Sequence, residues 1–138
     1  MILSQELYKS NFNSIPKIDE PIPFFLKEYL DPNYLLIFSG DNMILHELAM
    51  DYIHEFLLNL SKKIIDLIKN DKNAEEIQKY EDRMIELLEF IQIFFDSTSN
   101  INSFFPQIIL FSTECLQLLI YTDNWNLINK LLLCLNIN

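Results

Sequence analysis

Apolar residues recur every three or four positions along most of this 138-residue chain, the spacing that gathers side chains on one face of an α-helix. Sustained alternation of apolar and polar residues, the pattern of a strand, is nearly absent. Prolines between the first two runs impose an extended connection there. The pattern predicts an all-α fold of about five or six helices, over residues 2–9, 24–30, 42–69, 74–96, 103–121 and 123–137.

The two longest predicted helices, 42–69 and 74–96, are amphipathic. The first has an apolar face that includes Leu45, Tyr52 and Phe56. The second is expected to turn a solvated side outward, formed by Glu75, Glu76, Lys79, Glu81, Asp82 and Arg83. The apolar run 34–38 is too short to distinguish a strand from a helical turn, and Asp41 is expected to cap the helix that follows.

The C-terminal third differs in charge. After Asp96 only Glu114, Asp123 and Lys130 are charged, so this third is predicted to form the interior and the two long helices its outer layer. Asp123 is the expected N-cap of the last helix. That helix is wholly apolar over residues 131–135, as expected for a helix packed on both sides.

Two helices joined by a tight turn and packed on both sides are typical of one stacked helical repeat. We therefore predict one irregular armadillo-like domain over residues 1–138, with 1–40 as an irregular lead-in. Leu132 and Leu133 are expected to form an exposed apolar patch that binds following helices or a second copy through the C-terminal helix. Trp125 either packs against the start of that helix or stays exposed as a partner contact.

Composition excludes several classes of function. One glycine is too few for a phosphate-binding loop or a dinucleotide fingerprint. The net charge of −10 disfavours nucleic acid and anionic membranes as partners. The N-terminus does not have the pattern of a signal peptide. Cys115 and Cys134 lie in apolar helical surroundings and are expected to be reduced thiols in a cytoplasmic or nuclear protein.

No catalytic, cofactor-binding or metal-ligating set emerges from the sequence. His46 and Glu47 begin a zinc-protease pattern, but the second histidine would fall at residue 50, which is Met50. His54 is too far along the helix to share a metal with His46. Glu47, Asp51 and Glu55 form an acidic stripe, either a solvated face or a docking strip for a basic partner. A non-enzymatic protein-binding scaffold is the expected function, and no cofactor is expected.

One stretch of motifs adds a family resemblance. The motifs are an aliphatic helix over 87–95, a polar loop over 97–102, the aromatic pair Phe104-Phe105, Leu118-Leu119, Thr122-Asp123 and a second aliphatic helix over 127–135. With the Ile18-Asp19-Glu20-Pro21 segment, they resemble the N-terminal armadillo-like region of very large HECT-type ubiquitin ligases. The chain departs from that family at Glu114, where the family commonly has a histidine.

The resemblance implies that the chain begins a much longer protein and helps to present substrates or partners for ubiquitin transfer. The catalytic cysteine of such ligases lies in a C-terminal HECT domain, so neither Cys115 nor Cys134 takes that role. The alternative is a free-standing helical binding protein, such as a Bcl-2-like viral or parasite-specific bundle. A reading frame that continues far past Asn138 would favour the ligase.

Overall fold

The computed structural model describes residues 2–31, 43–70, 73–97 and 105–135, and these residues form helices without any strand. The all-α prediction is confirmed, and each predicted helix end lies within three residues of the observed one. The run 34–38 and the expected cap at Asp41 lie outside the described residues. The helices are α1 (Ile2–Phe12), α2 (Phe24–Tyr29), α3 (Met43–Lys69), α4 (Ala74–Ser97), α5 (Phe105–Tyr121) and α6 (Trp125–Leu135).

The helices pack in chain order as successive pairs. Within the pairs, α3 packs on α4 and α5 on α6; between the pairs, α1 packs on α3, α3 on α5 and α4 on α6. The Nζ atom of Lys27 in α2 lies 3.9 Å from Oε1 of Glu86 in α4. These are the neighbours expected for stacked helical hairpins. The armadillo-like assignment remains a prediction, because the helices range from 6 to 27 residues and show no regular repeat length.

The core is centred on α3. Met50, Phe56, Leu57 and Leu60 of this helix are fully buried, because α1, α4 and α5 cover it on different sides. The prediction that the C-terminal third forms the interior is therefore wrong. Helices α5 and α6 lie at one end of the stack, and over residues 113–134, whose side chains are described, only their inner faces are covered. A scarcity of charge does not distinguish a buried helix from an apolar helix at the end of a stack.

The first two helices contribute an aromatic cluster to the same core. The ring of Phe12 in α1 lies 5.0 Å from that of Tyr29 in α2 and 5.7 Å from that of Tyr52 in α3, measured between centroids. Both contacts are edge-to-face, the arrangement that aromatic quadrupoles favour. Residues 2–31, which include most of the expected irregular lead-in, therefore supply core side chains.

The segment between α1 and α2 is fixed to α4 by two polar contacts. The Tyr80 hydroxyl donates a hydrogen bond to the Asp19 carboxylate, and the Arg83 guanidinium donates to the carbonyl oxygen of Ile18.

Three tyrosines of the core have raised pKa values. The contact with Asp19, followed by burial, raises the pKa of Tyr80 to about 12. Burial, aided by the Glu55 carboxylate, raises the pKa of Tyr52 to about 12. Burial also raises the pKa of Tyr29.

These tyrosines are expected to make the fold sensitive to alkali. Their pKa is higher in the folded chain than in the unfolded chain, where it is about 10. Their contribution to stability is therefore fully present below pH 10 and is lost as the pH rises from about 10 to 12. Urea unfolding followed by circular dichroism at pH 8, 10 and 11 should show a falling midpoint. Tyr52→Phe and Tyr80→Phe should reduce that fall, and an unchanged midpoint at pH 11 would contradict the prediction.

Candidate protein-interaction surface

The turn between α5 and α6 is held by one buried carboxylate. Glu81 of α4 accepts a hydrogen bond from the Thr122 hydroxyl at 2.6 Å and another from the Asn124 side-chain amide at 3.2 Å. The Asn124 backbone N–H also donates to the Thr122 hydroxyl at 3.2 Å. Glu81, Thr122 and Asn124, here called the Glu81 cluster, therefore fix the turn against α4.

The N-cap of α6 is Asn124, and the prediction of Asp123 is wrong. The Asn124 side-chain oxygen accepts from the backbone N–H groups of Asn126 and Leu127, at 3.0 and 3.3 Å. These are the second and third helical positions, which an N-cap side chain normally satisfies. Asp123 lies one residue too early to reach them, and its side chain is exposed.

Glu81 was also misplaced by the sequence pattern, which assigned it to the solvated side of α4. Its side chain is buried. The spacing of apolar residues indicated this burial. Ile77 lies four positions before Glu81, and Met84 and Leu88 lie three and seven positions after it, so all share one face of the helix. Glu81 was assigned to the solvated side because it is charged, although its spacing from these apolar residues indicated a buried position.

The exposed face of α6 is uncharged, and one contact fixes how the helix is turned. The Nζ atom of Lys130 lies 3.2 Å from Oε1 of Glu89, so the Lys130 side of α6 faces α4. Leu127 and Leu131 are buried against α4 and α5. At 3.6 residues per turn, Trp125 and Leu132 project outward on the flank nearer α5.

The exposed face of α5 adjoins that of α6. The Nζ atom of Lys69, at the end of α3, lies 5.0 Å from the centroid of the Tyr121 ring, so Tyr121 marks the α3 side of α5. Cys115 and Leu118 are buried. Leu116 and Ile120 therefore project outward on the opposite flank, nearer α6. Since a three-residue connection makes α5 and α6 antiparallel neighbours, the two apolar flanks are continuous.

We call this continuous region the end surface; it comprises Leu116, Ile120, Trp125, Leu132 and Leu133. The three residues predicted to contact a partner are all exposed: Trp125 at 74 %, Leu132 at 47 % and Leu133 at 45 %. Trp125 does not pack back onto the start of its helix. Leu116 and Ile120 were missed because α5 is apolar on several sides, and that pattern favoured a core helix.

Exposed apolar residues are concentrated here. Of the ten large hydrophobic side chains exposed in the described part of the chain, six lie between Leu116 and Leu133. The polar side chains exposed among them on α5 and α6 are neutral, and the exposed Asp123 lies in the turn. The neutral ones are Thr113, Gln117, Asn126 and Asn129. Neutral polar side chains therefore lie beside the apolar side chains of the end surface.

The other candidate sites have fewer features that indicate a function. The acidic stripe of Glu47, Asp51 and Glu55 is exposed along α3, which agrees both with a solvated face and with a docking strip for a basic partner. A groove of about 380 Å³ lies beside the turn, lined partly by Gln78, Glu81 and Asp123. Within the described ranges, no three His, Cys, Asp or Glu side chains are placed to hold a metal ion. In the same ranges, no helix has both the length and the apolar character needed to cross a membrane.

The two cysteines lie on the inner sides of α5 and α6. Cys115 is buried, Cys134 is half-buried, and neither forms a disulfide. Burial, together with the nearby Cys134 and Glu114, raises the pKa of the Cys115 thiol to about 12. A thiol with so high a pKa is a poor nucleophile at neutral pH. The sulfur of Cys134 lies 3.9 Å from the carbonyl oxygen of Leu88 in α4.

Comparison with known proteins finds no matching family model, no matching curated protein and no matching solved structure.

Proposed function

We propose that this chain is a non-catalytic protein-binding scaffold whose partner binds the end surface. One observation carries the proposal, namely the concentration of exposed apolar side chains on the adjoining flanks of α5 and α6. At their exposed fractions, the five side chains present on the order of 600 Å² of apolar surface, the upper end of the range for the largest patch on a typical monomer. The largest apolar patch on a monomer is often functional, and larger patches mark sites of protein association.

The rest of the helical scaffold supports such a role. The Glu81 cluster fixes the turn that carries Trp125, so the ring is presented from a held position rather than from a mobile loop. Binding to a preorganised surface loses less conformational entropy than binding to a flexible one. Aromatic side chains such as that of Trp125 are enriched at the centre of binding interfaces, where charged residues are depleted.

Site-specific photo-crosslinking in cells that express the chain tests this function. A photoreactive side chain at position 132 or 125 should give protein adducts that mass spectrometry can identify. The same group at Ile15, which is also exposed but lies between α1 and α2, serves as the matched control. Adduct yields at least several-fold higher at 132 and 125 are expected. Equal yields at all three positions, or no adducts on the end surface, would contradict the proposal.

The resemblance to HECT-type ubiquitin ligases suggests a more specific form of this function. In that form the scaffold presents substrates or partners to a catalytic HECT domain elsewhere in the same polypeptide. The coding sequence beyond the codon for Asn138 tests it. A frame that encodes a HECT domain is expected, and a frame without one favours a small free-standing helical binding protein.

A further inference from the structure

The exposed apolar residues of α6 are spaced symmetrically in the sequence about Asn129. Trp125 lies four residues before Asn129, while Leu132 and Leu133 lie three and four residues after it. All four side chains are exposed and share the outward side of the helix. If two copies of α6 crossed antiparallel at Asn129, Trp125 of each copy would face Leu132 and Leu133 of the other. An interface with two-fold symmetry requires this kind of self-complementary arrangement.

The charge distribution favours a second copy over a basic partner. The whole chain has a net charge of −10, so two copies repel each other through most of their surfaces. The end surface lacks that obstacle, because its five side chains are uncharged and Lys130 is paired with Glu89 beside it. Asp123 lies at the turn, away from Asn129, so an antiparallel crossing keeps the two copies of Asp123 apart. A basic partner would instead find its carboxylates on α3, along Glu47, Asp51 and Glu55.

The area of the end surface is also suitable. Its apolar side chains present on the order of 600 Å² of exposed surface, and the neighbouring Gln117, Asn126 and Asn129 add polar area. Together they approach the ~800 Å² that each partner contributes to a protein–protein interface of standard size. A neutral amide at the centre is compatible with a two-fold axis, because Asn129 can both donate to and accept from its own copy.

We propose that a second copy of this chain occupies the end surface, with the two α6 helices packed antiparallel about a two-fold axis at Asn129. The inference rests on the proposed function, since it names the partner that binds the same surface. Trp125 of each copy packs against Leu132 and Leu133 of the other. The Asn129 side chains face each other at the axis.

Sedimentation equilibrium of the purified 138-residue chain over a range of concentrations tests the association. Trp125→Glu should weaken the dimer by about 30-fold or more, because it removes the largest contact side chain from both copies. Phe24→Glu is the matched control, because this aromatic side chain is 75 % exposed on α2, outside the end surface. It should leave the dimer unchanged. Both positions are exposed, and circular dichroism should show that both variants remain helical.

A cysteine cross-link tests the position of the axis. Facing helices about 8–10 Å apart leave about 3.5–5.5 Å between Cα atoms at a two-fold axis, which overlaps the range of about 4.4–6.8 Å that a disulfide spans. Asn129→Cys should therefore give a covalent dimer on mild oxidation with diamide. Asn126→Cys is the control, since its two copies would be about 9 Å apart along the helix axis. The native chain, with Cys115 and Cys134, measures the background.

The possible results separate this inference from the proposed function. A chain that is monomeric at all concentrations overturns the dimer, as does a dimer that Trp125→Glu leaves intact. Equal cross-linking of Asn129→Cys and Asn126→Cys also overturns it. If the chain is monomeric while photo-crosslinks at position 132 contain a different protein or later helices of a longer polypeptide, the proposed function stands and the second copy is wrong. If no protein is cross-linked at the end surface in cells, the proposed function itself fails.

Discussion

Replacing Phe56 with alanine is expected to lower the free energy of unfolding by about 3–5 kcal/mol. The Phe56 ring is fully buried in the middle of α3, and its centroid lies 6.0 Å from that of Tyr52. Removing the ring loses the favourable free energy of transferring it from water to the core. It also leaves a cavity that the surrounding helices fill only in part. Urea unfolding at pH 7, followed by circular dichroism, measures the change. A loss of this size is a large share of the 5–15 kcal/mol that is typical of a domain.

Phe24→Ala is the matched control, because it removes the same ring from a mostly exposed position in α2. Its effect should stay within about 0.5 kcal/mol, as for most surface substitutions. The comparison tests whether α3 is the centre of the fold. A Phe56→Ala effect as small as that of Phe24→Ala would place the core elsewhere and revive the prediction that the C-terminal helices form the interior.

Helix positions could be predicted from the sequence because the signal is local. The helix predicted over 42–69 differs from α3 by one residue at its start. Pro106 lies in the first turn of α5, as predicted, where its missing N–H costs little. Periodicity also identified the buried face of α3, including Tyr52, Phe56 and Leu60. These features depend on spacing within one segment.

The location of the core could not be predicted in the same way. Whether a helix is central depends on how many other helices cover it, and that depends on stacking order rather than on its own residues. Helix α5 is more apolar than α3 yet exposes Leu116 and Ile120, because it lies at an end of the stack. The sequence did predict the exposure of Leu132 and Leu133, from the argument that a helix at the end of a stack has one uncovered side.

The Glu81 cluster shows a second limit of prediction from sequence. Hydrogen bonds at 2.6 and 3.2 Å join residues more than forty positions apart, and no local pattern pairs Glu81 with Thr122 or Asn124. The turn could be placed from its polar residues, but the wrong residue was chosen as the cap. The carboxylate that makes the turn rigid was assigned to solvent. The hydrogen bonds that fix the turn beside the end surface are therefore apparent only in the tertiary structure.

Replacing Glu81 with alanine is expected to lower the free energy of unfolding by about 2–3 kcal/mol. The substitution leaves the buried Thr122 hydroxyl and the Asn124 amide without their acceptor, and an unpaired buried donor costs about 1–3 kcal/mol. Glu81→Gln retains one side-chain carbonyl oxygen and should lose roughly half as much. Amide hydrogen exchange should accelerate first over residues 122–128, because the capped start of α6 depends on the same turn.

Two further variants separate the Glu81 cluster from a general effect of removing a carboxylate. Glu89→Ala removes an acid from the same helix and breaks an exposed ion pair with Lys130, so it should cost at most about 1 kcal/mol. Thr122→Val removes the hydroxyl that donates to Glu81, and a double-mutant cycle with Glu81→Ala should give a coupling of about 1 kcal/mol or more. If Glu81→Ala costs no more than Glu89→Ala, or if the cycle shows no coupling, the turn is held by apolar packing alone. Trp125 would then owe its position to Leu127 and Leu131 packing against the helices beneath, and the end surface would be expected to keep its binding properties without the buried carboxylate.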